Sequence, residues 1–184
     1  MTRPIVPLAT AAALAQRAVQ GQAVTPGTHL LDRLRSLADL GTLPPVRPLI
    51  DGLLYRGNLA QIAGPPGSYK SFISLGIACG VALGRDWEGH SVPEAGMVIY
   101  VSAEGASGVR ARVLACCHYR GVDPADVERR LFFLPGPWNL GNSLQVSEAV
   151  EVAAEFGAVL VVLDTRARCI QGLEENSAPS RDGP

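Results

Sequence analysis

The sequence predicts an α/β fold built on a mostly parallel sheet. Three observations carry that expectation. From Leu49 onward, strand-like and helix-like segments alternate, the order that lays helices against a parallel sheet. The run AVLVVL at 158–163 is apolar at every position and ends in Asp164. Unbroken apolar strands of this kind belong to sheets covered on both faces. Finally, a loop rich in glycine and proline, GPPGSYKS at 64–71, separates a strand-like stretch from a helix-like one.

The elements follow in order. Residues 58–63 read as a strand running into the loop, and 71–83 as a helix with Ile73, Ile77 and Val81 on one face. After a polar loop, MVIYVSA at 97–103 has the β-branched and aromatic content of a strand. Residues 106–119 read as a helix closed by Gly121. A short helix over 124–130 opens with Asp123 as cap and Pro124 at its first position. A brief strand covers 131–134. Ser143 is the expected cap of a helix reaching Phe156, which Gly157 stops.

Residues 1–48 form a separate N-terminal appendage, helical and Pro-rich, ahead of the main domain at 49–184. Short helices are expected near 9–20 and 28–40. In the second, Leu30, Leu34 and Leu37 recur at helical spacing, broadened by Leu31 and Leu40. Such a helix packs on its own domain or docks on a neighbouring subunit. PPVRP ends the region as a stiff connector.

Composition narrows the function classes. The 184 residues carry a formal charge of −1, with 16 basic side chains against 17 acidic ones, which excludes a wholly basic nucleic-acid coat but leaves room for a local basic channel. The 47% hydrophobic content excludes a disordered chain. No apolar run reaches the roughly 18 residues that span a bilayer, so no membrane association is expected. The start, MTRPIVPLATAAALAQ, is too polar and proline-broken for a secretory leader, with an organelle transit peptide as the weaker alternative. Cys79, Cys116, Cys117 and Cys169 show no CxxC spacing and read as reduced thiols of a cytoplasmic protein.

Fifteen of the basic residues are arginine, and Lys70, in the glycine-rich loop, is the one lysine. A compact ammonium on a slim stem fits where a planar guanidinium does not. Between strand and helix, Gly64, Pro65, Pro66, Gly67, Ser68, Tyr69, Lys70, Ser71 and Phe72 form a candidate phosphate loop. Its N–H groups and the helix N-terminus favour a polyphosphate. Lys70 would sit against the β- and γ-phosphates, and the Ser71 hydroxyl on Mg²⁺. Tyr69 stands where the GxxxxGK[ST] pattern has glycine. Its side chain must point out of the loop, or its backbone must avoid positive φ.

Asp164 ends a buried strand 94 residues after Lys70, at the sheet edge where ligands bind. It is the second candidate Mg²⁺ residue. Thr165 follows it, so no adjacent Asp-Glu pair supplies a base. Glu104, at the end of another apolar strand, is the candidate that orients or deprotonates an attacking water. The alternative is an acid that stabilises a helix N-terminus. Arg110 and Arg112 fall on the next helix. The expected setting of Arg110 and Arg112 is a solvated helix face, with a phosphate or a neighbouring subunit as the alternative; Arg166 and Arg168 follow Asp164 and are candidates for a subunit boundary or nucleic acid.

Together, AGPPGSYKSF, VIYVSAEG with its Arg-x-Arg helix, VVLDTRAR and GLEENSA resemble the RecA-like AAA-family P-loop ATPases. Within that group they are similar to the RepA-like hexameric helicases of phages, plasmids and bacterial mobile elements. The resemblance covers residues 49–178. It implies ATP and Mg²⁺ as ligands, Lys70 and Ser71 as nucleotide- and metal-binding residues, Asp164 as the Walker B acid and Glu104 as the catalytic glutamate. It also implies replicative ATP hydrolysis on single-stranded DNA within a homo-hexamer, and a loop at Glu174–Ser177 near the nucleotide or the next subunit. In the family a further strand follows Walker B and inserts beside the P-loop strand. Only TRARCIQGLEENSAPSRDGP follows Asp164. The expectation is therefore a domain truncated at its C-terminus. A regulatory or partner-loading nucleotide-binding module and an inactive remnant are the alternatives.

Overall fold

A computed structural model describes residues 34–170 of the chain. The expected helix near 9–20 and the loop at 174–177 lie outside the described residues. Helix α1 (Leu37–Leu40) opens at Ser36, whose side chain and that of Asp39 form a capping box. β1 (Pro48–Ile50) and β2 (Leu54–Tyr55) form a small antiparallel ribbon. Then come α2 (Lys70–Leu83), β3 (Met97–Ser102), α3 (Ala106–Arg120), α4 (Pro124–Glu128), β4 (Leu131–Pro135), α5 (Ser143–Glu155), β5 (Ala158–Asp164) and α6 (Arg166–Cys169). The α/β expectation holds: β3, β4 and β5 form a parallel sheet in the order β4-β3-β5.

Strand alternation divides β3 between two cores. Val98 and Tyr100 pack with Leu75, Ala78, Val81, Val109, Val113 and Val127, from α2, α3 and α4. Ile99 and Val101 pack on the other face with Val152 and Ala153 of α5 and Cys169 of α6. The sheet lies between two helical layers, yet β5 is its edge strand among the described residues and is only half-buried, with Val161 exposed, so the full cover expected for this all-apolar strand is not met. At the start of β5 the register slips between Met97 and Val98, so that Val159 is an extra residue beside β3. A Cβ on Gly96 would come within 2.3 Å of Val159 Cγ2, so glycine there admits the bulge.

Several expectations are corrected. Residues 58–63 form no strand, and Leu59 and Ile62 are exposed. A strand needs a hydrogen-bonding neighbour, and among the described residues the parallel ladder offers none to this segment. The helix expected over 28–40 is helical only at Leu37–Leu40 within the described part. Leu34 and Leu37 are 72% and 87% exposed, so the leucine stripe does not pack on its own domain among the described residues. The ribbon β1–β2 is unpredicted, although Asp51-Gly52 is a strong hairpin signal and Gly52 does adopt φ +73°. Asn142, not Ser143, caps α5, accepting from the N–H groups of Leu144 and Gln145.

All four cysteines are free, with Cys79, Cys117 and Cys169 buried. Cys116 is half-buried on α3. A hydrogen bond from the Cys79 thiol, aided by the Arg120 guanidinium, overcomes its burial and lowers its pKa below the ordinary thiol range. The Cys79 thiol is pushed up by the same contact and by burial. Since the thiolate is the nucleophile, alkylation of Cys116 in the folded protein should reach its plateau at a lower pH than that of an ordinary cysteine in the unfolded chain. Peptide mapping after timed iodoacetamide labelling reads this directly. A rate still climbing toward pH 9 would contradict the assignment.

Candidate functional site

The loop between β2 and α2 takes its shape from a few tight contacts. Ser68 donates from Oγ and from its N–H to the Pro65 carbonyl, at 2.8 and 3.3 Å. A Cβ on Gly64 would meet Ser68 Oγ at 2.7 Å and force that hydroxyl to move. Tyr69 adopts φ +60° with its side chain 72% exposed. It keeps the left-handed backbone that glycine has in the usual pattern and turns its ring outward, edge-on to Phe72 at 6.0 Å. That conformation costs a non-glycine residue about 1 kcal/mol.

Lys70 opens α2, and its first N–H groups, with those of Ser71, have no intrahelical acceptor. The Lys70 ammonium folds over the loop. It donates to the carbonyls of Gly64 and Pro65 at 2.9 and 2.7 Å and reaches Ser68 Oγ at 3.4 Å. Loop amides, helix end and ammonium thus gather positive charge at one place, a setting suited to phosphate oxygens.

Ser71, in the first turn of α2, donates from Oγ to Asp164 Oδ1 at 2.9 Å. The two candidate metal residues are therefore brought together. Asp164 is only 8% exposed at the end of β5. Its other oxygen, Oδ2, accepts from the Tyr100 hydroxyl at 2.7 Å. Tyr100 is almost fully buried and also shares a 2.9 Å hydrogen bond with Ser74 Oγ. Burial raises the phenol's pKa, so it stays a donor. A buried carboxylate beside a serine hydroxyl is an all-oxygen donor set, which fits a hard cation such as Mg²⁺.

Tyr100 and Ser74 were missed in the sequence. Their signal was positional: Ser74 lies one helical turn after Ser71, and Tyr100 lies on the strand that leads to Glu104.

Glu104 follows β3, next to β5 in the sheet. Ser102 pairs with Asp164, and the Ala103 N–H donates to the Asp164 carbonyl at 2.8 Å. Both carboxylate oxygens of Glu104 are engaged: Thr165 Oγ1 donates to Oε1 at 2.9 Å, and Arg168 Nε to Oε2 at 3.3 Å. The Thr165 hydroxyl, then the Arg168 guanidinium, hold this carboxyl below the ordinary glutamate range. It is ionised and able to accept a hydrogen bond. Gly105 adopts φ +65° at the start of α3, and Arg112 braces it by donating to its carbonyl at 2.9 Å. Arg168 thus faces Glu104, and Arg112 the turn behind it. A cavity of about 330 Å³ between α3, α4 and β4 contains none of these site residues.

Tyr100→Phe would leave Asp164 Oδ2 and Ser74 Oγ without their shared partner. The expected loss is about 1–2 kcal/mol of stability, seen as a melting temperature several degrees lower. An unchanged melting temperature would show that the hydroxyl carries no such weight.

Comparison with known proteins adds one positive finding. No curated protein matches the chain. A family model described as an AAA domain matches residues 26–182. With a parallel sheet and a phosphate-type loop already in place, that match extends over most of the sequence, and the chain belongs to this family of P-loop ATPase domains.

Proposed function

We propose that this chain binds ATP with Mg²⁺ and hydrolyses it, as the ATPase domain of a RepA-like helicase acting on single-stranded DNA in a homo-oligomeric ring. The observation that carries the reading is the 2.9 Å bond between Ser71 and Asp164. It joins a loop and a strand end 93 residues apart at the edge of a parallel sheet, where ligands of such sheets bind.

Lys70 would exchange its loop carbonyls for β- and γ-phosphate oxygens, which offer the ammonium more negative charge. Ser71 and Asp164 would hold Mg²⁺, which when bound supplies charge neutralisation at the phosphates. Tyr100 keeps the Asp164 carboxylate oriented. Glu104, ionised, accepts a hydrogen bond from the attacking water and aligns it for in-line displacement. The resemblance in four ordered motifs supports the helicase assignment within the family, and the expected action on DNA rests on it. Among the described residues no helix is long and apolar enough to cross a membrane.

Two substitutions test the roles. Lys70→Ala should abolish ATP binding measured by calorimetry. Glu104→Gln should bind ATP as the unmodified chain does while turnover falls about 100-fold or more. Equal ATP affinity in Lys70→Ala would remove the loop from the site. Normal hydrolysis by Glu104→Gln would remove the glutamate. Binding without turnover in the unmodified chain, unchanged by added single-stranded DNA, would favour the regulatory module.

A further inference from the structure

Glu104 sits outside the regular part of β3, with its side chain about half exposed. A glutamate in that position has several rotamers, and a group that must align a water cannot use most of them. Two donors from the segment after β5 hold it: Thr165 takes one carboxylate oxygen and Arg168 the other. The backbone that carries Arg168 is firmly placed, while its side chain is 55% exposed. Its helix, α6, is pinned by Cys169, which has 0% exposure in the core below the sheet. The Cys169 carbonyl accepts the Leu140 N–H at 2.6 Å, tying α6 to the loop between β4 and α5. The guanidinium is thus presented from a fixed base to a flexible carboxylate.

We propose that Arg168, assisted by Thr165, is a positioning residue that fixes the Glu104 carboxylate for water alignment. The inference rests on the reading of Glu104 as the water-orienting group. Thr165 and Arg168 leave lone pairs on both carboxylate oxygens, so the pinned group still accepts from water. Arg168 acts through Glu104 and not on the phosphates. Its loss affects the chemical step and leaves nucleotide binding in place.

The test is a double-mutant cycle on ATP turnover with the full chain. Arg168→Gln should lower kcat about tenfold, the order expected for a misplaced aligning group, with KM for ATP within about twofold of the unmodified value. Arg168→Lys keeps the charge but loses the Nε donor, and should recover part of the loss. In a Glu104→Gln background, adding Arg168→Gln should change nothing further. A melting curve for each variant confirms that it is folded.

Losses that multiply in the double variant would overturn the proposal, because Arg168 would then act independently of Glu104. An Arg168→Gln chain with raised KM and intact kcat would overturn it too, as would one with unchanged or faster turnover. If Glu104→Gln alone turns over normally, the parent reading fails. If Glu104→Gln is impaired while Arg168→Gln is not, only the positioning role fails.

Discussion

One hydrogen-bonded group holds the site together: Ser71 and Tyr100 meeting on the Asp164 carboxylate. A carboxylate at 8% exposure is costly unless its oxygens are satisfied. Here they are satisfied by hydroxyls from two different elements, the first turn of α2 and the middle of β3. The cost of burial therefore becomes a constraint on geometry. Helix α2 cannot shift along the sheet without breaking the Ser71 contact, and β5 cannot move against β3 without breaking the Tyr100 contact. The loop before α2 inherits its placement from the same three residues.

The packing supports this arrangement from both sides. On the Tyr100 face, Leu75, Ala78, Val81 and Ala82 of α2 are almost wholly buried, so the helix is seated by apolar contact as well as by Ser71. On the opposite face the smaller cluster around Ile99, Val101 and Cys169 anchors the segment that follows β5. The two sheet-edge carboxylates are thus served by separate cores. Asp164 is oriented from the α2 layer, and Glu104 is held by residues of the α6 side.

Much of this was legible in the sequence because it depended on local pattern. The apolar run of β5, the Asp123-Pro124 helix start and the glycine-rich loop each declare themselves within a few residues. The same pattern places Ser71, Asp164 and Glu104 at one sheet edge. What stayed hidden was nonlocal. The strand expected over 58–63 has the right residues but no neighbour to pair with among the described residues, and pairing is what makes a strand. The ring of Tyr100 is part of the core, and only its hydroxyl reaches Asp164. Arg168 reads as an arginine for a subunit boundary or nucleic acid because nothing in VVLDTRAR reveals that Glu104, 64 residues earlier, turns toward it. At Tyr69 the sequence leaves a choice between turning the side chain outward and avoiding positive φ. The loop takes the first course and keeps the positive φ as well.

The bulge at Val159 bears on polarity of the strand as a whole. Alternation assigns faces by counting, and one surplus residue at the head of β5 shifts the count for everything after it. Val159 and Leu160 consequently join the same core, and from there Val162 and Asp164 continue on that side. Gly96, by lacking a side chain, is what lets the surplus residue fit. The direction in which the acidic end of β5 faces is thus decided near the strand's opposite end, by a glycine on another segment with no chemistry of its own.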